Sequence, residues 1–89
     1  MMGRNNTLLK IKGEMSTSPM IVNFLKAIGN EYIVSGYSPE DVIDIRNTSN
    51  LSKVMSLKSK LGELKSCCYV QKKVYFSCNR GILVTDRTF

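Results

Sequence analysis

The chain has 89 residues, 43% of them apolar, enough for one domain with a modest core and too many for a wholly disordered polymer. Thirteen lysines and arginines against seven acids leave a net charge of +6, a balance suited to polyanions or acidic surfaces. There is no histidine, and the three cysteines (Cys67, Cys68, Cys78) form neither an even set nor a C-x-x-C pair, so histidine-based catalysis is excluded and a zinc site lacks a fourth ligand.

Residues 1–17 read as an N-terminal arm, polar at both ends around the alternating Leu9-Lys10-Ile11-Lys12. An edge strand, a swapped arm and a disordered tail all remain open for it. No apolar run approaches the roughly 18 residues that span a bilayer, and the apolar piece at Leu8-Leu9 is too short for a secretory core. The expected location is therefore cytoplasmic.

Residues 18–89 read as the folded domain. Ser18 fits a helix N-cap and Pro19 the first helical position, and Ile21, Phe24, Leu25 and Ile28 follow at helical spacing up to Gly29-Asn30. A short β-favouring piece, 31–35, ends at Gly36. Ser38-Pro39-Glu40-Asp41 then opens a second, brief helix, which the turn at 47–50 interrupts. The third predicted helix, 51–65, carries Leu51, Val54, Leu57, Leu61 and Leu64 on one stripe, while Ser49, Ser52, Ser56, Ser59 and Glu63 take the opposite side, flanked by Lys53 and Lys60. The tail is rich in β-branched and aromatic residues over 67–71, 74–78 and 82–85, with turns at Lys72-Lys73 and Asn79-Arg80-Gly81, and predicts a hairpin or three-stranded meander. No internal repeat is visible in the sequence.

Charge is distributed unevenly. Residues 1–45 hold four cations (Arg4, Lys10, Lys12, Lys26) and five acids, a net of −1; residues 46–89 hold nine cations and two acids (Glu63, Asp86), a net of +7. Such a split orients the field of the molecule toward a negative partner.

Helix, strand, short capped helix, four-residue turn, longer amphipathic helix and basic hairpin, in that order over about 18–86, resemble the winged helix-turn-helix family. The resemblance rests on Ser38-Pro39-Glu40-Asp41, the 47–50 turn, the stripe from Leu51 and the basic hairpin turns. It implies an α+β fold in which the third helix enters the major groove of double-stranded DNA and the hairpin lies along the backbone. The groove-facing side would be Ser49, Asn50, Ser52, Lys53, Ser56 and Lys60, free of carboxylates: Asn50 suits adenine, the serines suit bases or phosphate, and the lysines suit phosphate. Lys72, Lys73 and Arg80 would be the cations of the wing. The function so implied is a small transcriptional regulator of phage, viral or mobile-element kind, with no cofactor and no bound metal.

A rival reading is a protein-interaction adaptor or inhibitor that docks an acidic partner protein without nucleic acid, since a fold does not dictate a function. Homodimerisation, aided by Leu8–Ile11, is a further expectation. Single-strand binding would need Tyr69, Tyr75 or Phe76 exposed for stacking, whereas their positions on alternating strands suit a core. No enzymatic reading arises: Glu40, Asp41 and Asp44 are accounted for by helix capping, and no phosphate loop or nucleophile elbow is present.

Overall fold

The computed structural model describes residues 10–89, and these contain strands and no helix. The strands are β1 (Ile21–Ile28), β2 (Tyr32–Ser38), β3 (Val42–Asn47), β4 (Lys53–Lys58), β5 (Leu64–Val70), β6 (Lys73–Cys78) and β7 (Gly81–Val84). The first four form one antiparallel sheet in the order β1-β2-β3-β4 and the last three a second, β5-β6-β7, so every neighbour in a sheet is also a neighbour in sequence. The described residues form an all-β meander folded into two layers.

This overturns the α+β winged-helix expectation, and each misread segment shows why. In β1, the spacing of Phe24 and Ile28 serves a strand as well as a helix: both lie on one side, while Leu25 between them is exposed. In β3 the alternation was present in the sequence. Ile43 and Ile45 are buried on one face, and Asp44 and Arg46 point to the other. The supposed third helix is a turn, a strand and a linker, so its leucine stripe is spread over three environments. Leu51 sits in the turn with a left-handed φ of 61°, Leu57 faces the core from β4, and Leu64 opens β5. Local helical periodicity lost to pairing with β3, whose Ile43 and Ile45 stand opposite Leu57 and Met55. Pro19 and Pro39, expected at helix starts, each follow a cis peptide bond in turns that precede or join strands. The arm expected over 1–17 lies partly outside the described residues, and 10–16 form no regular element.

The core is the seam between the sheets. Val34, Ile43 and Ile45 from the first sheet meet Leu64, Cys67, Val74, Phe76 and Cys78 from the second, and Val34, Ile45, Val74 and Phe76 are each 0% exposed. Gly36 leaves room for the second layer: a Cβ there would stand 3.2 Å from both Leu64 Cδ2 and Phe24 Cβ. The C-terminus closes the seam's lower end. Phe89 packs edge-on against Tyr32 with ring centres 5.6 Å apart, and its carbonyl accepts a hydrogen bond from the Tyr69 hydroxyl.

The registers reveal a repeat that the sequence conceals. In the first sheet the pairs are Val22↔Tyr37, Phe24↔Gly36, Leu25↔Ser35 and Lys26↔Val34; in the second they are Leu64↔Cys78, Ser66↔Ser77, Cys67↔Phe76 and Cys68↔Tyr75. Both ladders carry an extra residue at the same rung, Asn23 in one and Lys65 in the other. The next ladders correspond too, with Gly36↔Ile43 and Val34↔Ile45 matched by Ser77↔Ile82 and Tyr75↔Val84. Equivalent residues are thus offset by 42 (Val22 to Leu64), 41 (Val34 to Tyr75) and 39 (Ile43 to Ile82), the decreasing offset reflecting shorter turns in the second unit. β5-β6-β7 thus repeats the pairing pattern of β1-β2-β3, although the residue types do not repeat, and among the described residues β4 has no counterpart.

Two stability measurements follow. Phe76→Ala is expected to lose about 3–5 kcal/mol in urea unfolding, a large share of a small domain's stability. The β5–β6 turn places Gln71 and Lys72 at φ of 51° and 65° without a glycine. Gln71→Asn combined with Lys72→Gly is therefore expected to stabilise by about 0.5–1 kcal/mol.

A candidate interaction face on the second sheet

Alternation in β5, β6 and β7 sends Leu64, Cys67, Val74, Phe76, Cys78 and Leu83 inward, and leaves Cys68, Val70, Tyr75, Ser77, Ile82 and Val84 on the outer face. That face is largely apolar and uncovered: Ile82 is 71% exposed, Val84 52%, Val70 49% and Tyr75 37%. Val70, Tyr75 and Ile82 line a shallow groove of about 330 Å³ with Cys68 and Ser77. The outer face of the first sheet differs. It carries Ser35, Tyr37, Asp44, Arg46 and Ser56, and Ser16–Met20 share a pocket with it. There Ser35 and Tyr37 are joined through their hydroxyls at 2.9 Å, and Arg46 bonds Asp44 at 3.1 Å and the Leu51 carbonyl at 2.8 Å. The first outer face is polar and hydrogen-bonded over β2–β4, with Val22 and Leu25 of β1 exposed at its edge; the second is apolar across its width.

Charge rims the bare face. Lys73 stands opposite Val70 at one end, beside Lys72 in the turn, and Arg80 occupies the β6–β7 turn at the other. Lys65 is paired with Glu63 at 2.9 Å, which together with Asn23 holds the Glu63 carboxyl below its ordinary range. Over 64–89 there are five cations and one acid.

The residues expected on a groove-facing helix are dispersed. Ser49, Asn50 and Ser52 build the β3–β4 turn: Asn50 Oδ1 accepts from the Ser52 amide at 2.9 Å, and Asn47 Nδ2 donates to Ser52 Oγ at 3.1 Å. Lys53 opens β4, and Ser56 stands opposite Asp44 on the first sheet's outer face. Lys60 lies in the β4–β5 linker, where its carbonyl accepts from Arg80 Nη2 at 2.9 Å. The structure therefore brings Lys60 and Arg80 together at one end of the strands. It sets the 49–53 turn and Lys72-Lys73 at the opposite end, where Phe89 joins the Lys72 carbonyl to Tyr32. Lys53, Lys60 and Arg80 do not share a face. The outer face of the second sheet escaped the sequence reading, which placed Tyr75 in a core. The signal was the alternation itself: Tyr75 is out of phase with Val74 and Phe76.

The thiols follow the same alternation. Cys67 and Cys78 are buried, Cys68 is exposed, and none forms a disulfide. Burial raises the Cys67 pKa against the opposing pull of Lys26, whose Nζ donates to the Cys67 carbonyl at 3.0 Å. Among the described residues no cluster of potential metal ligands occurs, and no helix is long and apolar enough to cross a membrane.

A raised pKa keeps Cys67 as the unreactive thiol at neutral pH. Titration of the native protein with a disulfide reagent at pH 7–8 should therefore show Cys68 reacting rapidly and Cys67 and Cys78 only after unfolding; Cys68→Ser should abolish the fast phase. No family model matches the chain, nor does any curated protein or solved structure.

Proposed function

We propose that the chain is a non-enzymatic protein-interaction module that receives an acidic partner protein on the outer face of β5-β6-β7. The observation that carries this reading is the contiguous apolar surface of Val70, Tyr75, Ile82 and Val84 within a cationic rim. Exposed apolar area of this kind gains free energy only when another apolar surface covers it. A protein partner supplies such a surface, and acidic side chains around it match Lys72, Lys73 and Arg80. Duplex DNA offers phosphates, which suit the lysines and leave Ile82 and Val84 in water.

The sandwich architecture fits this role. Four-stranded antiparallel meanders at a period near 40 residues, stacked face on face, are the building units of radial β-arrays, which serve widely as scaffolds for partners. The two units here have that construction, with four strands in the first and three in the second among the described residues.

Selection of short displayed segments against the protein should enrich acidic, apolar sequences. Their binding is expected to fall by about tenfold or more in Ile82→Asp with Val84→Asp, as for loss of a central interface contact. In a salt-titrated gel shift with random duplex, single-stranded DNA and RNA, the same double variant should behave as the parent. If duplex binding is strong, lost in Lys53→Glu with Arg80→Glu and indifferent to the Ile82 and Val84 changes, then DNA is the partner and the reading fails.

A further inference from the structure

Resting on the reading just proposed, we infer that the partner docks by adding a β-strand to the far edge of β7, with which no described strand pairs, so that the second sheet becomes four-stranded like the first. The first repeat shows what completion looks like. There β4 pairs with β3, setting Leu57 opposite Ile43 and Met55 opposite Ile45. By the ladder equivalence, Ile82 and Val84 stand where Ile43 and Ile45 stand. A strand beside β7, running antiparallel to it, would place one side chain opposite Ile82 and another, two residues earlier, opposite Val84. Both must be apolar to continue the exposed face.

The edges of the two sheets are not equally open. The far edge of β4 has lysines at both ends and a bulge at Val54, whose carbonyl accepts from Arg87 Nη2 at 2.8 Å. The far edge of β1 is interrupted by the bulge at Asn23, and the bulged side chain is engaged by Glu63. Along Gly81–Val84 there is no proline, no bulge and no inward charge, and among the described residues no strand pairs with the far side of β7. These are the features by which natural edges are normally blunted. An edge of this kind next to an apolar groove is the arrangement that captures extended peptides: the backbone gives affinity and alternate side chains give selectivity. The cationic ends of the sheet, Lys72 and Lys73 at one side and Arg80 at the other, then select acidic residues flanking the incoming strand.

The ligand so defined is an extended segment with two apolar residues separated by one position, bounded by acids. The chain's own β4, Val54-Met55-Ser56-Leu57, supplies the apolar pattern. A short capped peptide carrying Val-Met-Ser-Leu between glutamates, and the same peptide N-methylated on alternate backbone nitrogens, can be titrated into the intact protein and followed by amide exchange in NMR. The unmodified peptide should bind and slow exchange within Gly81–Val84, and N-methylation should weaken it by at least about tenfold by removing ladder hydrogen bonds. If both peptides bind equally, with no protection in β7 and with sensitivity to Ile82→Asp, the apolar face is a docking site but strand addition is overturned. If neither binds, and no acidic segment is enriched by selection, both proposals fall. Concentration-dependent dimerisation that protects the β7 amides without peptide would replace the partner's strand with that of a second copy.

Discussion

The seam between the two sheets is the constraint from which the remaining features follow. Val34, Ile43 and Ile45 on one side and Val74 and Phe76 on the other have almost no contact with water, and they reach that state only if every strand keeps its two-residue alternation in phase. A slip of one residue in β6 would put Tyr75 in the seam and Phe76 outside. A chain of this size buries too little surface to tolerate such an error. The seam therefore fixes which side chains face outward, and so defines both outer faces.

Those outer faces are unequal because their amino acids are. On the first sheet the outward positions of β2 and β3 include Ser35, Tyr37, Asp44 and Arg46, which are joined pairwise as Ser35–Tyr37 and Arg46–Asp44. Tyr37, Asp44 and Arg46 share a pocket with Ser16, Thr17, Ser18 and Met20, while Asp44 Oδ1 and Arg46 Nε stay buried without a partner among the described residues. On the second, the equivalent ladder positions face inward, and the outward ones are Tyr75, Ile82 and Val84, the counterparts of the first sheet's core residues. The second repeat thus turns outward the same kind of surface that the first buries.

How much of this the sequence discloses depends on the segment. The tail is legible: 74–78 alternates cleanly, and the turns expected at Lys72-Lys73 and Asn79-Arg80-Gly81 form at Gln71-Lys72 and Asn79-Arg80, with Lys73 and Gly81 opening strands. The Ile43/Ile45 alternation was equally available but was masked by Ser38-Pro39-Glu40-Asp41, whose residue types serve a helix start and a strand-joining turn alike. Over 51–65 the leucines fall at helical intervals by coincidence of a turn, a strand and a linker. Only pairing with β3, a contact distant in space from any local pattern, decides against the helix. The repeat was unreadable because equivalent positions have exchanged chemistry: Ser35 corresponds to Phe76 and Asp44 to Leu83, as inner and outer faces trade roles between the units. Lys53, Lys60, Lys72, Lys73 and Arg80 are exposed, and the grouping expected of Lys53 and Lys60 depended on a helix that does not form.

The extra residue shared by β1 and β5 has a geometric consequence. An inserted residue sharpens the coil of its strand at that rung, and two layers remain evenly spaced only when they coil alike. Asn23 and Lys65 give both layers the same bend at the same height, close to the point where Gly36 lets them touch. The lengths of these two strands are therefore tied to each other across 42 residues of chain: deleting one of the pair would open a wedge between the layers, whereas deleting both would straighten them together.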